Sequence, residues 1–391
     1  MIWLKRGILT LLALVAIGLA GFWTLAPGII GEQRNAVLPH EPYPVSQEAR
    51  ALHESLIVGD LHADPLLWKR DLTERGDWGQ VDIPRLLEGG VAMQVFTAVT
   101  KSPAGQNYEE NTAEAFDNIT LLAFGQLWPI RTWGSIYERA IYQAEKLHDF
   151  EARSDGQLKV IRTRADLDSV IAARESGTDI VGGILGVEGL HPLEGDIAKL
   201  DGLFEAGHRV FGLQHFFDNA VGGSLHGTGG HGLTEFGKDV VARLAEMPVV
   251  IDVAHSSPQS AREALAIVDG PLIVSHGGLH SFCEVQRNFP DPLMREIAAK
   301  GSIIGMGYWA DVTCGDITPG GIAKMIKAAV ETIGEDHIAL GSDFDGSVAT
   351  AFDTSELPAL TDALLREGLT QEQIAKVMGG NMLRVFRDRL E

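Results

Sequence analysis

Eight apolar runs, each closed by a polar or glycine-rich end, alternate along this chain with helical patterns. The runs are LIVGDLH (56–62), VAMQVFTAV (91–99), IVGGILGVEG (180–189), HRVFGLQH (208–215), PVVIDVAH (248–255), PLIVSH (271–276), SIIGMGYW (302–309) and HIALGSD (337–343). Helical patterns at 194–206, 234–246, 257–268, 291–300 and 319–334 separate most of them. Such alternation argues for a parallel sheet, because parallel neighbours need a crossover. Eight repeats predict an α/β fold, a (β/α)8 TIM-type barrel, whose chemistry sits at the C-terminal ends of the strands. Residues 100–179 predict a helical insertion after the second strand, through NYEENTAEAFDNITLLAFGQL, SIYERAIYQAEKLHDFEAR and RADLDSVIAARES. The tail LTQEQIAKVMGGNMLRVFRDRL predicts two helices hinged at Gly379-Gly380, with Thr370 and Gln373 as a capping box.

A length of 391 residues suits one large barrel or two medium domains, and 45% apolar residues suffice for a sizeable core. The N-terminus stands apart. Lys5 and Arg6 precede an uncharged stretch from residue 7 to residue 30. A bilayer-spanning helix needs ~20 apolar residues, and a leading positive flank keeps the N-terminus cytoplasmic. The expected division is a membrane anchor or signal segment at 1–35 and a barrel domain at 36–391. The catalytic domain would then lie in the periplasm or outside the cell. Cleavage after Gly18-Leu19-Ala20, giving a secreted protein, is the rival. The apolar run continues past that site through Phe22 and Trp23, which favours an uncleaved anchor.

The formal charge is −21 and no Lys/Arg-rich run occurs, so nucleic acid is not an expected partner. The two cysteines, Cys283 and Cys314, make no CxxC site. One disulfide, if the domain is exported, and two free thiols are both compatible with that count.

The strand ends carry the chemistry. The first run offers His62 and Asp64, which share a face because strand side chains alternate. The third offers Glu188, the fourth His215, the fifth His255, the sixth His276, and the eighth Asp343 with Asp345 beyond. Four of the 13 histidines thus fall at predicted strand ends, more than satisfied core histidines would explain. Imidazole and carboxylate together suit divalent metal such as zinc. Two ions need a bridging carboxylate and ligands from both sides, and then hold a shared hydroxide at neutral pH. Glu188, on a middle strand, is the natural bridge. His62 and Asp64 would complete one ion, and His255 and His276 the other. No nucleophile elbow or phosphate loop appears. GGSLHGTGGHG (222–232) reads as a flexible loop over the mouth, with His226 and His231 solvated. Asp60 and Asp345 read as structural, and His191, His280 and His337 as non-ligands. Arg287, 11 residues beyond His276, can clamp a carboxylate bidentately.

From about residue 50 to the C-terminus, the chain resembles the membrane (renal) dipeptidase family of zinc peptidases, within the amidohydrolase superfamily. The motifs that carry the resemblance, in order, are GDLHADP, GVEGLHPL, LQHFFDN, GLTEFGKDVVARL, VIDVAHSS, IVSHGGLHSFCEVQRNFPD, GSDFDG and GGNMLRVF. The resemblance implies two zinc ions, one on His62 and Asp64, the other on His255 and His276, bridged by Glu188. It implies that His215 contacts the substrate carbonyl, that Arg287 binds the substrate carboxylate, and that Asp343 engages the amino end and handles protons. Residues 216–232 look closer to bacterial members than to the mammalian enzyme. The N-terminal segment stands in place of the C-terminal lipid-anchor signal of mammalian relatives. Cys283 and Cys314 fall near positions that pair in those relatives, which raises the expectation of a disulfide. Members typically dimerise, so a homodimer is expected, at no surface the chain identifies.

The implied activity is hydrolysis of dipeptides by a metal-bridging hydroxide, with a C-terminal D-residue within the substrate class. Two rivals stand beside it. One is another binuclear amidohydrolase, many of which bridge their metals with a carboxylated lysine; neither the third nor the fourth predicted strand contains Lys. The other is an inactive membrane-anchored barrel, which should have lost a ligand, and none is missing.

Overall fold

The computed structural model describes residues 2–391. Its strands are β1 (Val58–Ala63), β2 (Val91–Val99), β3 (Leu158–Val160), β4 (Val181–Glu188), β5 (His208–Gly212), β6 (Val250–Asp252), β7 (Ile273–Val274), β8 (Ile303–Met306) and β9 (Ile338–Leu340). Every pairing between them is parallel. The ring runs β1–β2–β4–β5–β6–β7–β8–β9, and the β1–β9 pair closes it. That is the expected eight-stranded barrel. The strands read as continuous apolar runs because helices cover the outside while side chains fill the inside, and β2 and β4 are buried at every position.

The expected helices are present at Lys199–Glu205, Glu235–Ala245, Pro258–Ile267, Asp291–Ala298 and Pro319–Ile333. In the tail, Thr370 and Gln373 form the capping box, and the helix breaks at Gly379.

Two features depart from expectation inside the insertion. The ninth strand, β3, pairs with β4 outside the ring; three residues are too few to register as a period. Residues 107–117 are not helical. The Asn107 side chain accepts from the amides of Glu109 and Glu110, and Asn111 Oδ1 accepts from the amide of Asn107. Such local bonds compete with a helix. The helix starts only at Asn118, where Asp117 caps it by accepting from Ile119 N. Further helices follow at Ile136–Arg153 and Arg164–Glu175.

The N-terminal helix, Ile2–Arg34, is 33 residues long. Its last turns pack on the barrel rather than trailing into a free linker. A Cβ on Gly31 would lie 2.2 Å from the Trp78 ring, so only glycine allows that approach. Beyond it, Asn35 is buried and its Oδ1 accepts from Ser347 N.

Candidate metal centre

The C-terminal rim of the barrel gathers the predicted side chains. His62 lies near the end of β1 and Glu188 is the last residue of β4. Asp64, His215, His255, His276 and Asp343 follow β1, β5, β6, β7 and β9 by one to three residues. All seven are buried. Asp343 sits at a φ of 59°, a left-handed conformation that Asp tolerates better than most residues and that recurs at functional sites.

Four imidazoles converge on one carboxylate. Glu188 Oε1 lies 3.4 Å from His62 Nε2, 3.2 Å from His255 Nε2 and 3.6 Å from His276 Nε2. Its Oε2 lies 3.2 Å from His215 Nε2. His62 Nε2 is also 3.6 Å from Asp64 Oδ1 and 3.8 Å from Asp343 Oδ1. Among the described residues, three triads could hold a metal ion: His62–Asp64–Glu188, Glu188–His215–His255 and His62–His276–Asp343.

Hydrogen bonding on the far side of the rings sets what they present. The Ser275 hydroxyl donates to Asp252 Oδ2 at 2.6 Å. Its oxygen can then only accept, from Nδ1–H of His62 at 3.2 Å and Nδ1–H of His276 at 2.9 Å. His215 donates Nδ1–H to Lys101 O at 3.1 Å. These three rings therefore aim Nε2 lone pairs into the site. Lone pairs then face carboxylate oxygens, and His255 Nε2 faces His276 Nε2 at 2.9 Å. Asp64 Oδ1 has no hydrogen-bond partner. Acceptors crowded against acceptors at buried side chains are what a shared cation satisfies, so these residues fit divalent metal.

The electrostatics agree for three of the rings, and at His62 the same carboxylates draw a proton that a metal ion would displace. Burial, with Arg287 nearby, lowers the pKa of His255 and His276, which stay neutral and able to ligate. Burial brings His215 down to about 4, against the bond to Lys101. Burial opposes a charge on His62, but Asp64, Glu188 and Asp343 outweigh it and lift that group to about 10. Burial and the Asp64 charge raise Glu188 well above the carboxylate range. Burial pushes Asp343 up to about 8, against the pull of His62.

The site opens into a cavity of about 1020 Å³, to which Arg287 and Trp309 also contribute. Arg287 is buried. It donates to Ala254 O at 3.0 Å and His276 O at 2.8 Å, and its Nε has no partner. The loop that carries it is tied by the Cys283–Cys314 disulfide to the helix Ala310–Thr313 after β8.

The remaining expectations divide. Asp60 accepts from His62 N and Ser342 N, which joins β1 to the turn after β9. Asp345 accepts from Gln80 N and Val81 N and pairs with Arg70. His191, His280 and His337 lie outside the metal triads. His231 is exposed, but the expectation that His226 is solvated is overturned. His226 is fully buried, stacked on Phe216 at 5.2 Å and bonded through Nδ1 to Tyr108 O at 2.7 Å. The glycine-rich loop folds onto the insertion, with Asn111 N donating to His226 O. Ser275, Asp252 and Lys146 were not legible as part of the site. Lys146 donates to Leu66 O at 2.5 Å and Trp68 O at 2.7 Å, which braces the turn after Asp64.

Comparison with known proteins places this arrangement in context. The membrane dipeptidase model (peptidase family M19) matches residues 46–390. Dipeptidase aclJ of Aspergillus oryzae is 26% identical over 387 residues, covering 89% of this chain and 83% of its own length. Dipeptidase verJ of Clonostachys rogersoniana is 29% identical over 250 residues, and the match spans 62% of this chain and 63% of that protein. These relatives are fungal, so the expected likeness to bacterial members gains no support from them. Among solved structures, a metallo peptidase from Rhodobacter sphaeroides, liganded with a phosphinate mimic of the dipeptide L-Ala-D-Ala, superimposes with a TM-score of 0.69 at 23% identity. That match covers 86% of this chain and 99% of that one.

Proposed function

We infer that this chain, which belongs to the membrane dipeptidase family, hydrolyses the peptide bond of dipeptides at a two-zinc centre built on Glu188. One observation carries the reading: four imidazole nitrogens and two further carboxylates crowd a single buried carboxylate. His62 and Asp64 would hold one ion, His255 and His276 the other, and Glu188 would be shared between them. When bound there, two zinc ions supply the Lewis acidity that polarises the scissile carbonyl and the acidified water that attacks it.

The chain's own residues do the rest. His215, fixed through Nδ1–H to Lys101 O, turns Nε2 toward the cavity. There it would contact the substrate carbonyl and position it for attack. Asp343 holds the substrate's amino end and passes a proton to the leaving amine. Arg287, which lines the cavity and leaves Nε without a partner, grips the C-terminal carboxylate. A clamp at each end of the substrate restricts it to short peptides. Dipeptides with a C-terminal D-residue fall within the class.

The N-terminal helix, from Trp3 to Arg34, is long and apolar enough to cross a membrane. Residues 1–35 thus serve as the anchor, with the 36–391 domain on the non-cytoplasmic side; a cleaved signal sequence is the competing outcome. The full chain in detergent should cleave L-Ala-D-Ala rapidly and the same dipeptide amidated at its C-terminus slowly. Equal rates would remove the carboxylate clamp, and cleavage of neither would remove the dipeptidase reading.

A further inference from the structure

The apolar surface of the barrel domain is concentrated in one place. Among the described residues outside the N-terminal helix, seven large apolar side chains are exposed, and five lie between residues 116 and 130: Phe116, Leu121, Phe124, Leu127 and Ile130. Ile130 is 78% exposed. Soluble surfaces scatter such residues singly, whereas a contiguous group marks a contact surface.

The neighbour of this group says what covers it. Phe124 meets Trp23 of the N-terminal helix, ring centroids 5.8 Å apart, and a Cβ on Gly125 would lie 3.7 Å from Phe22. The 33-residue helix is about 50 Å long at ~1.5 Å per residue. The hydrocarbon core takes only ~30 Å of it, or ~20 residues. Lys5 and Arg6 hold the cytoplasmic end. Counting outward from Gly7 brings the far edge of the core to the neighbourhood of Phe22–Ala26. Phe124 touches the helix at that height, so the insertion's apolar group lies at the lipid boundary. Trp23 is an interfacial residue type, and Lys69, which donates to Trp23 O at 3.3 Å, stands at headgroup level.

We propose that the apolar group of residues 116–130 is a second membrane contact, seated in the outer interface of the bilayer beside the anchor helix. The surface rests on the reading of residues 1–35 as an uncleaved anchor. Its consequence for the site is direct. Phe22, Ala26, Ile30, Leu121 and Phe124 line the same cavity as the ligands. The mouth of the active site then opens at the lipid surface.

Both cysteines are in the disulfide and no other is present, so a thiol introduced into the full chain is a unique labelling site. Leu127→Cys and Ile130→Cys test the patch, Leu12→Cys the anchor, and Thr178→Cys, exposed before β4 at the opposite end of the barrel, the aqueous reference. Each carries a nitroxide in vesicles of phosphatidylcholine and phosphatidylglycerol, and collision with oxygen is compared with collision with a water-soluble nickel chelate. The proposal expects labels at 127 and 130 to be shielded from nickel several-fold relative to 178, as at 12. Labels at 127 and 130 as open to nickel as 178, with 12 shielded, overturn the patch and leave the anchor standing. Loss of the label at 12 by cleavage, or its full exposure, overturns the anchor reading and the patch with it.

Discussion

Replacing Glu188 by Gln is expected to lower kcat/KM for L-Ala-D-Ala on the order of 10³-fold or more and to strip the chain of metal. Loss of a partner outside the ligand sphere already costs ~10–100-fold, and Glu188 is the group shared between both ligand pairs. The substitution keeps shape and burial while removing a charge that the donor set needs. The protein should still fold, because the amide nitrogen can donate to the lone pairs that now face one of the two Glu188 oxygens, such as His255 Nε2 at Oε1. Metal content by elemental analysis, alongside circular dichroism, separates loss of the centre from loss of the fold. A Glu188→Gln chain that keeps its metal and its rate would show that the carboxylate is not the bridge.

The second large effect is at Arg287. Arg287→Ala removes up to two charge-assisted hydrogen bonds to a substrate carboxylate, each worth ~1.5–3 kcal/mol. That predicts a rise in KM for free dipeptides of about 100-fold or more. It also frees Ala254 O and His276 O, so part of the loss would come from the strand ends that carry His255 and His276. Arg287→Lys separates the contributions. It keeps a cation and loses the planar fork, so KM should still rise while kcat holds, the signature of lost uniform binding. Amidated dipeptides should barely distinguish Arg287→Lys from the parent, and any loss they show with Arg287→Ala measures the part that comes from the strand ends. A KM for the free acid unchanged in both variants would remove Arg287 from substrate binding.

What could be read from the sequence followed from periodicity and position. His62 and Asp64 stood out because an apolar run ended in polar residues on one face. Glu188, His215, His255, His276 and Asp343 stood out because each closed an apolar run. The structure brings all seven within one cluster. What stayed hidden depends on partners far apart in the chain. Ser275 orients His62 across a separation of 213 residues, and nothing around Ser275 marks it beyond its place beside His276. Lys146 looks like a surface lysine on an amphipathic helix until its head meets two carbonyls near residue 67. His226 looked solvated because glycines surround it, yet the loop meets the insertion through the bond from Asn111 N to His226 O. The docking of the N-terminal helix on the insertion joins two stretches that each read locally as apolar helix, and no local pattern says that they touch.

The centre itself is tested most directly by metal titration of the full chain. After chelation and dialysis, zinc would be returned stepwise and L-Ala-D-Ala hydrolysis followed at each addition. The account predicts no hydrolysis without metal and activity that saturates at two ions per chain. Saturation at one ion, or hydrolysis by the metal-free protein, would contradict it.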